Sequence, residues 1–172
     1  MRGWRRAEIV PADVRSGLAL SPGERVLAAA ADAEGRWTVG TDRALFVPAG
    51  DGWRQLAWER IDRARWDEES ERLEVVEVAD FGAVQPRHQL ALVEPRRLLD
   101  LVRDRVTASV LLTRHVPVAG SRGLKVVARR SPVGDREVDW SCWLDDGLDP
   151  ADPAVQRAVD EGLAAARAEL GL

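Results

Sequence analysis

The sequence predicts an α+β fold, mainly β: seven antiparallel strands, a helix laid against them, and a C-terminal antiparallel strand and helix extension. Three observations predict it. Between Gly23 and Val93, short apolar runs are broken by Gly, Pro and Asp at hairpin spacing, the signature of an antiparallel meander. After Pro95 the apolar period lengthens to about four residues, so that Leu98, Val102 and Val106 share one helical face. Beyond Val106, β-branched residues crowd the chain again, before a closing helical stripe of Val155, Val159, Leu163, Ala166 and Leu170.

Residues 1–20 read as an N-terminal tail with one short helix. Pro11 suits a first helical turn, Val14, Leu18 and Leu20 are its apolar contacts, and Ser21-Pro22-Gly23 ends it. A domain over 21–110 follows, with candidate strands at 25–32, 36–41, 43–48, 53–58, 62–67, 72–78 and 87–93. Trp37 with Val39, Leu56 with Trp58, Ala64 with Trp66, and Leu90 with Leu92 share a face while polar neighbours point away, so one face must be buried. Glu34-Gly35, Asp42 and Asp51-Gly52 supply the turn chemistry of tight hairpins. The helix after Pro95 gives way to a strand near Ser109, where β-branched residues take over. Residues 111–172 form a β-β-β-α extension, packed on the domain or folded as a small subdomain. Its last two strands, 124–130 and 137–144, are joined by Pro132-Val133-Gly134-Asp135, and Asp152 caps a final helix with Pro153 at its first position.

Seven antiparallel strands followed at once by a helix resemble the pleckstrin-homology-like superfamily, including its GRAM and bacterial branches. The stretches Gly23-Glu24-Arg25-Val26-Leu27, Trp37-Thr38-Val39-Gly40-Thr41-Asp42-Arg43-Ala44-Leu45 and Trp58-Glu59-Arg60-Ile61 also resemble segments of actinobacterial proteins of this type. The resemblance implies a seven-stranded barrel-like sandwich whose open corner is plugged by Leu98, Val102 and Val106. It also implies a binding module. Lipid-binding members place Lys and Arg around the first hairpin, whereas Ala30-Ala31-Asp32-Ala33-Glu34-Gly35-Arg36 sets two acids against one arginine, which argues against phosphoinositide binding.

Composition narrows the function classes. The chain has 172 residues, is 45% apolar and carries a formal charge of −4, enough for one real core and the wrong sign for a generic nucleic-acid binder. Cys142 is the sole cysteine, so no intrachain disulfide and no zinc-type Cys spacing can form, which points to a reducing cytoplasm. The basic start Met1-Arg2-Gly3-Trp4-Arg5-Arg6 is followed by Glu8, Pro11 and Asp13 rather than an apolar stretch, so no export signal is read. The apolar run 26–31 is far shorter than the roughly 20 residues that span a bilayer. Neither phosphate-binding glycine motif nor the GxSxG elbow occurs.

The candidate sites are few. Trp37, Trp58 and Trp66 read as core, while Trp53, out of phase with Leu56 and Trp58, and Trp4 are candidates for partner contact. Cys142 reads as a buried thiol without a local catalytic signature, since only His88 and His115 are available as bases. The acids Asp67, Glu68, Glu69 and Glu71 read as a solvated turn, and Asp145, Asp146, Asp149 and Asp152 as turn and cap residues rather than a metal loop. Arg122, Lys125, Arg129 and Arg130 with Arg114 form a possible basic stripe on the last sheet, of which Arg129 and Arg130 are candidate partner contacts. The expectation is a cytoplasmic, non-catalytic module without cofactor or metal, binding a protein or a second copy of itself through a free edge of the fifth or final strand. The alternative is a small-ligand or membrane-surface binder anchored by Trp4, Arg2, Arg5 and Arg6.

Overall fold

The computed structural model describes residues 10–134 and 137–172. A short helix α1 (Ala12–Gly17) precedes strands β1 (Val26–Ala31), β2 (Trp37–Thr41), β3 (Ala44–Ala49) and β4 (Gly52–Ala57). A 3-10 turn, Trp58–Arg60, leads to β5 (Ile61–Asp67), β6 (Arg72–Glu77) and β7 (Arg87–Ala91). Helix α2 (Arg96–Ser109) follows, then β8 (Val110–Ala119), β9 (Arg122–Arg129), β10 (Asp139–Leu144) and helix α3 (Pro153–Glu169). The predicted elements are thus present in the predicted order, and the fold is α+β, mainly β.

The strands form three antiparallel sheets ordered β1-β2-β3-β4, β5-β6-β7 and β10-β9-β8. The seven strands therefore divide into two sheets, and a closed barrel is not found among the described residues. The break has a local cause. The chain leaves the extended conformation at Trp58, whose fully buried indole donates its N–H to the Thr41 carbonyl at 3.1 Å, so β5 starts a new sheet instead of pairing with β4. The two sheets touch at their ends, where the Val93 N–H donates to the Ala31 carbonyl at 2.9 Å.

One core lies between these two sheets and α2, built from Leu45, Val47, Leu56, Trp58, Ile61, Leu73, Val75 and Leu92, with Leu98 and Val102 of the helix. The predicted helical face is the buried one. The helix can sit this low because Gly40 lies beneath it, and a Cβ there would come within 2.6 Å of Leu101 Cδ2 and 3.2 Å of Leu98 Cδ1.

Ala44, Leu45, Phe46 and Val47 are all buried, so β3 is covered on both sides and lacks the alternation of a half-exposed strand. The second cover is the N-terminal segment. Leu18 packs on Ala29, Val39, Ala44 and Phe46, flanked by Val14, Leu20, Trp37 and Trp53. The third layer is α3 on the β10-β9-β8 sheet, where Leu124, Val126 and Cys142 meet Ala158 and Ala166. As the sequence predicts, Asp152 caps α3, accepting from the Ala154 N–H at 2.7 Å, with Pro153 opening the helix.

Candidate functional site

Strand β5 supplies one wall of a groove. It pairs with β6 alone and is an edge strand. Past a bulge at Asp62, Arg63 and Arg65 point to solvent while Ala64 and Trp66 turn toward the core, yet both stay only half-buried. Helix α2 supplies the other wall and runs antiparallel to β5, because its first residues line the groove beside Trp66 and Glu68 whereas its last, Ser109, shares a guanidinium with Asp62. Between them lies a cleft of about 950 Å³. Its apolar lining is Ala64, Trp66, Leu73, Leu99 and Val102, and its charged residues Glu68, Glu94, Arg96, Arg97, Asp100 and Arg103 are exposed.

Each end of the groove is fixed by local chemistry. At the far end of β5, the Asp67 carboxylate accepts from the Ser70 hydroxyl at 2.6 Å and the Glu69 N–H at 3.2 Å, and these donors hold its carboxyl below the usual carboxylate range. Glu94, at φ 48°, redirects the chain from β7 into α2 through the left-handed region that side chains seldom adopt. At the near end, Arg129 is only 5% exposed and donates to the Asp62 carbonyl at 2.7 Å and Ser109 Oγ at 3.0 Å, with Asp62 Oδ1 3.6 Å away. Burial draws its pKa below the ordinary arginine value, against the opposing pull of Asp62 and Asp139.

The residues singled out from the sequence do not converge. Trp53 is half-buried and packs against the N-terminal segment, its Nε1 3.4 Å from where a Gly17 Cβ would stand, so the indole is partly covered. Trp4, with Arg2, Arg5 and Arg6, lies outside the described residues. Arg129 is an internal tie rather than a surface contact, whereas Arg130 is exposed at the end of β9. The basic stripe is split by register. Arg114 stands opposite Val126 on the α3 side and pairs with Glu169 at 3.1 Å, while Lys125 and Arg129 belong to the other face.

Several other titratable groups are engaged within the fold. Cys142 is buried, and that burial pushes its thiol pKa up, away from the thiolate a nucleophile needs. His88 Nε2 lies 2.6 Å from Glu77 Oε1, which Arg54 also holds through a forked contact, joining β4 to the neighbouring sheet. His115 is exposed on β8. Asp145 accepts from the Gly123 N–H and ties the end of β10 to the start of β9, while Asp149 accepts from the Ala151 N–H and closes a turn.

Of the two edges anticipated for docking, the final strand is the less open. The β6–β7 connection lies beside β10, with Phe81 packed into the cluster around Cys142 and Gly82 close against Pro150, leaving clefts of about 340 and 290 Å³. The role of Trp66 was not legible, since its alternation with Ala64 marks it as core and only the path of α2 leaves it partly uncovered. No protein-family model matches the chain, and neither does any curated protein or solved structure.

Proposed function

We propose that the chain is a non-catalytic protein-interaction module of pleckstrin-homology-like type, whose docking element is the free edge of β5 together with the first two turns of α2. The observation that carries this reading is the cleft itself: unpaired strand edge on one side, helix on the other, and a half-covered tryptophan on the floor. A free edge offers alternating N–H and C=O groups to an extended segment, and the apolar walls offer a seat for its side chains. The order of four strands, three strands and a helix supports the superfamily reading. Protein contact is favoured over a phosphoinositide headgroup because the first hairpin keeps its acids, with Asp32 paired to Arg36 at 2.7 Å.

The test is selection of binders from a random-peptide display library on the intact protein, followed by amide exchange and titration against Trp66→Ala. The expected result is protection of β5 amides and a loss of about 2 kcal/mol, roughly thirtyfold in Kd, in the variant. Absence of binders, or protection confined to other strands, would refute the reading. Protection of β5 without any peptide, in a chain that sediments as a dimer, would give the edge to a second copy instead.

A further inference from the structure

Resting on that docking reading, we infer that the partner seated on the β5 edge is a second copy of this chain, its own β5 laid antiparallel about a two-fold axis at Trp66. The free backbone groups follow from the register. The Glu77 N–H is given to the Pro86 carbonyl, on the β7 side, so alternation turns Val76, Glu74 and Arg72 toward β5, where they bond Arg63, Arg65 and Asp67. The N–H and C=O groups of Ala64 and Trp66 therefore face the open edge. They are in step with the Asp62 carbonyl, which points the same way and is taken by Arg129 Nη2 at 2.7 Å. That contact closes the edge on one side, and the turn after Asp67, held by the Ser70 hydroxyl, closes it on the other. Of the self-pairings so short an edge permits, those centred on Ala64, Arg65 or Asp67 set like charges opposite one another: Arg63 against Arg65, Arg65 against itself, Asp67 against itself. Centred on Trp66, none does. The two Trp66 residues then exchange both backbone hydrogen bonds, and Arg65 meets Asp67 of the second copy on each side of the axis, at the closely spaced positions where side chains lie nearest.

The charges are free for this use. From Arg63 to Glu69 the strand and its turn run from basic to acidic, so antiparallel alignment with itself brings opposites together. Arg65 and Asp67 are exposed. Arg65 stands opposite Glu74, but that carboxylate is held by Arg87 at 3.4 Å and by Gln89 at 2.9 Å, and Arg65 closes no ion pair among the described residues. Asp67, opposite Arg72, closes none either. The groove lining is balanced, Glu68, Glu94 and Asp100 against Arg96, Arg97 and Arg103, so it favours a partner of neither sign and is matched by a copy of itself. On the groove side of the strand the two half-buried indoles meet across the axis as an aromatic cross-strand pair. Strands this short bury little area, so the association is weak, and in dilute solution the edge stands vacant for an extended peptide.

Sedimentation of the full chain between about 5 µM and about 1 mM reads the association, with half-dimerisation expected at about 10 to 100 µM. Amide exchange at the two extremes needs no variant. The Ala64 and Trp66 amides are expected to gain protection with concentration, whereas those of Arg63, Arg65 and Asp67, already bonded to β6, are protected throughout. Arg65→Asp and Asp67→Arg are each expected to weaken association about tenfold or more, because each turns two attractions into two repulsions. Mixing the two variants is expected to restore it, since every facing pair of positions 65 and 67 then holds opposite charges. Asp67→Asn keeps an oxygen for Ser70 and the Glu69 N–H, and should still weaken association about threefold if the arginine variant fails to fold. A chain that stays monomeric at about 1 mM overturns self-pairing, and the docking reading survives it if a selected peptide still protects β5. Association that leaves the Ala64 and Trp66 amides unprotected, or that folded variants fail to recover on mixing, overturns this register. Absence of both self-association and peptide binding removes the docking reading and this inference together.

Discussion

Removing the Asp62 carboxylate should cost more stability than removing the arginine that faces it. Asp62→Ala leaves a guanidinium with 6% side-chain exposure facing only the weaker attraction of Asp139, which is itself engaged by Arg60 at 2.8 Å. Stranding a buried charge in this way costs about 3 kcal/mol, at the low end of the usual range because the Ser109 hydroxyl and the residue 62 carbonyl still accept from it. Arg129→Met strands no charge, and only the Asp62 carbonyl loses its donor. Asp62 keeps Arg63 at 3.0 Å and the Gln85 amide at 3.2 Å, and the Ser109 hydroxyl keeps the Val106 carbonyl at 2.7 Å. The methionine stem also replaces a buried Nε that has no hydrogen-bond partner, so the loss should be about 1 kcal/mol. The double variant should fall near the arginine variant, well above Asp62→Ala. Urea midpoints for the three proteins measure this, and the melting temperature of Asp62→Ala should drop by about 6 to 12 °C. Arg129→Met proving the worse single change, or the double variant proving less stable than Asp62→Ala, would refute the claim that the cost lies in the abandoned charge.

Stability should also fall on acidification. In Asp32, Asp42 and Glu77 burial opposes ionisation but is outweighed by donors: the Arg36 backbone and side chain, those of Arg25, and the Arg54 and His88 side chains respectively, so all three carboxyls titrate below their ordinary range. Folded pKa values below unfolded ones mean that this stabilisation is complete above the ordinary carboxylate range, near about 4, and is lost as pH falls through the lowered values. Urea midpoints should hold from neutrality down to about pH 5 and then decline, with a smaller decline in Glu77→Gln. Asp152→Ala removes the cap of α3 and should cost about 1 kcal/mol, read as a fall of about 2 to 4 °C in melting temperature.

The helices and hairpins were legible because their signals are local. Pro95 followed by Leu98, Val102 and Val106 announces α2, and Asp152-Pro153 announces α3, within a few residues of chain. Sheet membership is a different matter. The turn at Trp58 reads as one more strand residue, because a tryptophan after Leu56 keeps the alternation, and only the hydrogen bond from its indole to Thr41 shows why the sheet ends there. The partial cover over Trp53 has a related reason. Its phase does place it on the face away from Leu56, but that face is covered by Leu18, which is distant in sequence. Arg129 is the sharpest case: within Val126-Val127-Ala128-Arg129-Arg130 nothing distinguishes it from its exposed neighbour, and its role appears only when β9 lies beside β5 and α2.

Of the six sheet edges, β4, β7, β10 and β5 from Arg63 onward run without a bulge, and of these β5 borders the cleft beside α2. Exposed edges template unwanted pairing, and folds blunt them with bulges, prolines, charges or covering chain. Strand β8 carries Pro117 and bulges near both ends. Strand β1 is bulged after Val26, and its Ala31 carbonyl is taken by Val93. Strand β10 lies beside the β6–β7 connection. On β5 the corresponding devices, the bulge at Asp62 and the guanidinium on its carbonyl, fall within the first two residues. From Arg63 onward the strand is regular, guarded only by the outward charges of Arg63, Arg65 and Asp67, while Ala64 and Trp66 hold apolar surface half open beside α2. Solvated charges deter a second sheet packing broadside, but they do not hinder a single extended segment whose own side chains can answer them. Protection at one end and exposure along the rest is the feature of this edge on which the docking proposal rests, and the protected end is the one that Arg129 ties to the third sheet.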